Sequence, residues 1–493
     1  MMENTRRLSN DYSEMTRRLP LKLRLSYGVG HVLNDICASM WFTYLLVYFH
    51  LVLQFDSFLS GTILLVGQVA DALSTPFVGI HSDKDDDFWL CKYGRRKTWH
   101  LIGTVCVIGS FPFIFSPCLG CRDSSHVAQM VYYSAFVIIF QFGWAAVQIS
   151  HLSLIPDLTP SEHERTGLIV IRYSFTVCSS LMIYFITWGI FHMTNDITGA
   201  PIGPSDTVKF QQIVAAGLCV GAATSLVFHV FVKEGPAQAG EHVSAVGQSK
   251  RTLACVLQDV RLYQVAVVYT ATRLFCNLSQ VYVPLYLHES LRLGAESLAV
   301  VPLVMFVASF VMSLFAKALN RRTGRKIAFM FGGVLGIGGC VWIYFGIGAQ
   351  YATYEIYAAA CLLGAGSSVM LVTSLGITAD FIGINTNNGA FVYGSMSFVD
   401  KLANGVAVII IQYMKCSSGC PMYYRDILSF ACGGAAVLGL VSVVPLYLNQ
   451  TPSALGFESS YKEIDEDNNT EPQMVDSSST TVQASSSRSS VIA

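Results

Sequence analysis

The chain has 493 residues, of which 53% are hydrophobic, 12% aromatic and only 13% charged, with a formal net charge of −1. Soluble domains carry about 25% charged residues, and a near-zero charge lacks the basic surplus that nucleic acid demands. A soluble globular class and a nucleic-acid partner are therefore excluded, and the lipid bilayer is the expected environment.

Residues 1–24 are polar and basic, without the short apolar core of a cleavable signal. Apolar runs of about 20 residues, the length that crosses a bilayer core, then follow one another along the chain. Six are predicted in a first half, near 25–49, 58–80, 99–117, 127–156, 167–193 and 208–232. Six more fall near 262–288, 296–318, 326–348, 353–378, 389–414 and 425–447. The expected fold is all-α, with twelve transmembrane helices in two pseudo-symmetric six-helix bundles, 25–232 and 262–447. Between them, 233–261 carries Gly235-Pro236 and a Gly/Ser/Gln stretch that reads as a flexible linker. The tail, 448–493, turns acidic and then Ser-rich, a composition that cannot bury a core. Within it, Tyr461 and Ile464 frame a Tyr-x-x-apolar pattern of the kind adaptor proteins bind.

An even number of spans puts both termini on one side, and that side collects about 23 of the 31 Lys and Arg residues. The termini are expected in the cytosol. A turn of the same chemistry appears on that side once per half: Gly79 and Asp83, with Gly94, Arg95, Arg96 and Lys97, and later Gly324, Arg325 and Lys326. Such recurrence is the mark of an internally duplicated transporter, and these turns are expected to gate it; His151, Asp157, Glu162, Glu164 and Arg165 suggest a matching charge cluster on that side, though each taken alone reads as a solvated loop charge. On the other side lie two C-x-x-C loops, Cys118 with Cys121 and Cys416 with Cys420. Disulfide bonding is the favoured reading of these four, with the pairing open; zinc or thiol exchange is weaker because no His accompanies either pair.

Ionised groups inside the bilayer cost a few kcal/mol or more unless a partner or a cavity receives them, so they mark candidate function. They are few: His31 and Asp35, Asp71, Arg172, Arg273, Asp400 and Lys401. His31 and Asp35, four apart, share a helix face and suit proton relay as well as a structural hydrogen bond. Asp35 and Asp71, in adjacent spans, can jointly hold a cation or a proton, with Arg172, Arg273 and Lys401 as counter-charges; an Arg fork also suits a substrate carboxylate. No catalytic constellation stands outside the lipid phase, and neither enzyme activity, cofactor nor metal is expected.

The duplicated Gly-x-x-x-Asp and Gly-Arg-Lys loops resemble the signature of the major facilitator superfamily. Gly61 to Trp99 with Asp71, Ser153-Leu154-Ile155-Pro156-Asp157 to Glu164-Arg165, and Asp400-Lys401 narrow the resemblance to its glycoside-pentoside-hexuronide:cation symporter branch. This implies cation coupling at Asp35, Asp71 and Lys401. Where sugar symporters of the branch carry further acids, this chain has Thr75 and Gln148, which weighs against a sodium site and a sugar substrate. The runs Tyr27-Gly28-Val29-Gly30-His31, Phe111-Pro112-Phe113-Ile114-Phe115-Ser116-Pro117-Cys118 and Gly389-Ala390-Phe391-Val392-Tyr393-Gly394-Ser395-Met396 are similar to a lysosomal and melanosomal subfamily of the superfamily. That resemblance implies import of cysteine from the cytosol, with consequences for pigmentation. Alternatives are cation-coupled symport of a sugar or other small solute, lipid transport, and a non-transporting sensor or scaffold.

Overall fold

A computed structural model describes residues 19–82, 93–121, 123–159, 162–194, 201–234, 258–382, 389–415 and 420–446, and among these residues twelve long helices follow one another. The expectations for Asp83, Cys416, the side chain of Glu162 and the Tyr461/Ile464 pattern lie outside the described residues. In the first half the helices are α1 (Leu21–Val52), α2 (Ser57–Ser82), α3 (Arg95–Ile114), α4 (His126–Ser153), α5 (Glu162–Thr194) and α6 (Thr207–Phe231). In the second they are α7 (Val260–Leu285), α8 (Ser297–Thr323), α9 (Arg325–Phe345), α10 (Ile356–Ile382), α11 (Gly389–Tyr413) and α12 (Tyr423–Val443). Ten of the twelve are long and apolar enough to cross a membrane. The other two, α3 and α7, have charged residues in their first turns and, in α7, Arg273 midway.

Lipid-facing surface is visible in the pattern of burial. Leu314 and Phe315 on α8, Val334 on α9, and Phe430 and Val441 on α12 are all exposed, a density of bare apolar side chains that water would not tolerate. Inside each bundle, helices approach closely where glycine removes the side chain. A Cβ on Gly103 of α3 would sit 2.6 Å from the Gly143 carbonyl oxygen and 2.8 Å from the Val147 nitrogen of α4. The α9–α10 pair repeats the device, since a Cβ on Gly366 would meet the Gly336 nitrogen at 2.6 Å. Both obstacles are backbone, which cannot swing aside. Gly103→Val is therefore expected to destabilise the first bundle by about 1–3 kcal/mol, read as a lowered melting temperature of the purified protein; an unchanged melting curve would contradict the contact.

The duplication is detailed. α1 ends in a π turn, Tyr48–Val52, followed by Gln54 at φ 55°; α7 runs directly into a π turn, Tyr286–Ser290, followed by Arg292 at φ 52°. Matching hydrogen bonds close the two turns, Leu53 N–H to the Tyr48 oxygen and Leu291 N–H to the Tyr286 oxygen. Contacts between the halves obey the same symmetry. α1 packs on α7, while α2 on α11 and α5 on α8 exchange with each other under a pseudo-twofold operation.

The Gly-Arg-Lys turns occupy equivalent corners. Gly94 (φ 123°) precedes α3 and Gly324 (φ 81°) precedes α9, both in backbone conformations that favour glycine. Arg96 then pairs with Asp157 just beyond α4, and Arg325 pairs with Asp380 at the end of α10. In the first bundle the Glu234 carboxylate also accepts the free first-turn N–H groups of α3, from Arg96 at 3.1 Å and Lys97 at 3.2 Å. Gly79 has open space around it. Cys118 and Cys121 form a disulfide in the loop between α3 and α4, and Cys420 is likewise disulfide-bonded.

Candidate functional site

The face at which α1 begins and α12 ends is called here the terminal face. Between the halves lies a cavity of about 310 Å³, near the lower end of the range for small-molecule sites. Its first wall comes from α1 and α5, with Asp35, Ser39, Thr176 and Ser180; its second comes from α7, α8 and α10, with Arg273, Asn277, Gln280, Ser309 and Ser367. Phe42, Met305, Phe306 and Phe310 supply apolar surface.

Asp35 and Arg273 occupy equivalent positions. Each sits thirteen residues before the tyrosine, Tyr48 or Tyr286, that opens the π turn of its helix. Because α1 and α7 face each other across the pseudo-twofold, the same position delivers an acid to one wall and a base to the other. Asp35 is held on both oxygens, by His31 Nδ1 at 3.0 Å and the Thr176 hydroxyl at 2.9 Å. Arg273 Nε donates to Asp400 at 3.0 Å, and Asp400, only 2% exposed, also accepts from the Asn404 amide at 2.6 Å.

The ionisable residues singled out in the sequence thus fall into three groups. His31, Asp35 and Arg172 form one, with Arg172 Nη2 2.9 Å from His31 Nε2. Arg273 and Asp400 form the second. The third joins the two bundles: Lys401 on α11 lies 2.7 Å from Asp71 and donates to Thr75 at 2.8 Å, both on α2. Asp71 faces a separate small space with Gln68, Trp41 and Trp144, so Asp35 and Asp71 are not brought to one cation site. Gln148 is half-buried on α4 and is not among the residues lining the main cavity.

Several elements escape sequence reasoning. At the face opposite the terminal one, Glu289, after α7, meets His50 of α1 at 3.1 Å and Lys415, just after α11, at 2.9 Å, while His192 of α5 meets Glu296 before α8 at 3.2 Å. Together with Tyr44 O–H to the Leu298 oxygen (3.2 Å) and Gln280 to Thr43 (3.3 Å), these bridge the bundles. The repeated Tyr-x-His of Tyr48-Phe49-His50 and Tyr286-Leu287-His288 is the sequence signal that could have located this face.

Comparison with known proteins matches the arrangement to a family. The model of the MFS/sugar transport protein family covers residues 26–449, which spans both bundles. Human major facilitator superfamily domain-containing protein 12 is 43% identical over 456 residues, covering 88% of this chain and 94% of its own, and the mouse protein of that name is 42% identical over 455. Among solved structures, a D-xylose-proton symporter superposes with a TM-score of 0.65 at 14% identity, over 86% of this chain and 97% of that one. These relatives are transporters, not enzymes. A family model spanning both lobes, and relatives alike over nearly their full length, place this chain in the MFS/sugar transport protein family of the major facilitator superfamily.

Proposed function

We propose that the protein is a secondary carrier of small zwitterionic amino acids, cysteine foremost, moving them from the cytosol into the lumen of lysosomes and melanosomes by alternating access of bundles 25–232 and 262–447. The observation that carries this reading is the acid–base pair, Asp35 and Arg273, set on opposite walls of one small cavity. An amino acid presents an ammonium to the first and a carboxylate to the second, and the aromatic and Met surface accepts an apolar or thiol side chain. Cysteine is the member of that class that the subfamily resemblance implies.

The Lys and Arg excess assigns the terminal face to the cytosol. On that assignment the His50–Glu289–Lys415 and His192–Glu296 bridges seal the lumenal face, and the carrier stands ready to load from the cytosol. Burial alone would raise the Glu289 carboxyl, but its contacts with His50 and Lys415 outweigh burial and hold it below its ordinary value. A depressed carboxylate stays charged above its ordinary range and loses its bridge only as pH falls through the depressed value, so a lumen near pH 5 leaves the latch closed. Glu289→Gln removes about 1 kcal/mol of latch, and the expected result is about fivefold faster lumenal labelling of Phe42→Cys by an impermeant maleimide in a Cys276→Ser background. Equal rates would contradict the latch.

Inward movement of a proton against a gradient of about two pH units costs roughly 2.7 kcal/mol. Transport is therefore exchange against an outgoing proton, or uniport with lumenal cysteine drained by oxidation to cystine. Adaptor proteins reading Tyr461 and Ile464 would deliver the carrier to its membrane. Vesicles containing the purified chain test the reading with a panel of thiols, amino acids and sugars. Saturable cysteine uptake, uncontested by sugars, is expected; sugar uptake would replace it with the solute-symport reading, and no uptake at all with a sensor or scaffold.

A further inference from the structure

The polar side chains on the two walls of the cavity are not in the same state. On the first wall Asp35, Ser39, Thr176 and Ser180 are bonded to one another. The Ser39 hydroxyl lies 3.0 Å from the Asp35 backbone oxygen and 2.9 Å from the Ser180 hydroxyl, Ser180 donates to the Thr176 oxygen at 3.1 Å, and Thr176 holds the Asp35 carboxylate. On the second wall Asn277, Ser309 and Ser368 line the cavity, and among the described residues their side chains make no hydrogen bond. Asn277 is 8% exposed and Ser368 4%. Asn277 stands four residues beyond Arg273 as Ser39 stands four beyond Asp35, so equivalent positions carry a satisfied group on α1 and an unsatisfied one on α7. A buried polar group without a partner carries a desolvation cost that a hydrogen-bonding ligand offsets. The three residues also converge. Cys276, next to Asn277, donates its thiol proton to the Ser367 carbonyl oxygen at 3.6 Å, which ties α7 to α10 one residue before Ser368. α8 and α10 cross so closely that a Cβ on Gly364 would collide with the Met305 backbone oxygen. Both helices run toward the Arg325–Asp380 corner, so Ser309 and Ser368, each four residues past the crossing, stand on neighbouring turns.

We infer that Asn277, Ser309 and Ser368 form a side-chain subsite that reads a hydrogen-bonding group on the β-carbon of the substrate, a thiol or a hydroxyl. The inference rests on the amino-acid reading proposed above and narrows it. With the ammonium at Asp35 and the carboxylate at Arg273, the charged ends of the substrate take the acid and the base, and the unpaired groups of the second wall remain for its side chain. An amide offers both an N–H and an oxygen, and each serine hydroxyl both donates and accepts. A β-thiol or β-hydroxyl, itself donor and acceptor, satisfies them; a methyl in the same place leaves them unpaired. A site that bonds such a group discriminates against the analogue that lacks it. The subsite thereby sorts cysteine and serine from alanine and 2-aminobutyrate, although all four carry the same ammonium and carboxylate.

2-Aminobutyrate is the informative ligand, because a methyl replaces the thiol of cysteine at nearly constant shape. Its binding, and that of cysteine and serine, is measured calorimetrically on the purified full chain. The wild type is expected to favour cysteine and serine over 2-aminobutyrate by about fivefold or more. In Asn277→Leu, and in Ser309→Ala with Ser368→Ala, both preferences are expected to shrink to within about twofold. Each preference is a ratio measured within one protein, so a general loss of affinity does not mimic its collapse, and the serine pair supplies the answer if Asn277→Leu does not fold. Wild-type ratios in both variants would overturn the subsite and leave the amino-acid carrier standing. So would a wild type that binds 2-aminobutyrate as well as cysteine, since water would then be what satisfies these groups. If none of the three ligands binds, the carrier reading falls and the subsite falls with it.

Discussion

Arg273→Gln will lower cysteine uptake about 100-fold. A charge-assisted contact to a desolvated carboxylate contributes roughly 2–5 kcal/mol when one partner is removed, and each 1.4 kcal/mol is a factor of ten. The single substitution also strips Asp400 of its counter-charge. Leaving a buried carboxylate unpaired costs about 3–5 kcal/mol, so loss of uptake alone does not separate binding from folding. Arg273→Gln with Asp400→Asn does separate them. The double variant replaces an ion pair by a neutral hydrogen-bonded pair of similar shape, and it is expected to melt close to wild type while transporting no better than the single variant. Recovery of uptake in the double variant would show that Arg273 serves only to neutralise Asp400.

Lys401→Ala will produce the second largest effect. Asp71, 4% exposed, receives the Lys401 ammonium at 2.7 Å, and the same ammonium reaches Thr75 on the neighbouring bundle's helix. Truncation leaves Asp71 buried without its counter-charge, with an expected loss of about 3–5 kcal/mol in stability and undetectable uptake. Asp71→Asn together with Lys401→Ala should return most of the stability, measured as thermal unfolding in detergent. It should not return transport if this bridge must break and re-form as the bundles rock. Full transport by the double variant would reduce the pair to a structural tie.

Span count and class were legible because hydropathy is local and additive. The predicted run 25–49 became a helix over Leu21–Val52, and 167–193 one over Glu162–Thr194. Partner choice was not legible. Asp35 and Asp71 stood close on a list of buried acids, yet Lys401 takes Asp71, Arg273 takes Asp400, and Arg172 takes His31, because pairing depends on which helices neighbour one another around the bundle. The break in α1 was equally hidden: Gly28, Val29 and Gly30 permit a 3-10 turn, but imidazoles from α3 and α4, far along the chain, donate to backbone oxygens around it. Equivalence of Asp35 and Arg273 emerged only after the two π turns fixed the register between halves. Hydrophobic pattern alone cannot align α1 with α7 when their polar residues differ.

Each end of the substrate can be tested against its own wall. Cysteamine keeps the ammonium and lacks the carboxylate; 3-mercaptopropionate keeps the carboxylate and lacks the ammonium. Binding of both, and of cysteine, should be measured calorimetrically on wild type, Asp35→Asn and Arg273→Gln/Asp400→Asn. The account predicts a crossed pattern, in which cysteamine affinity falls only with Asp35→Asn, mercaptopropionate affinity falls only with the Arg273 double variant, and cysteine affinity falls with both. Equal responses of the two half-ligands to either change, or none, would contradict it.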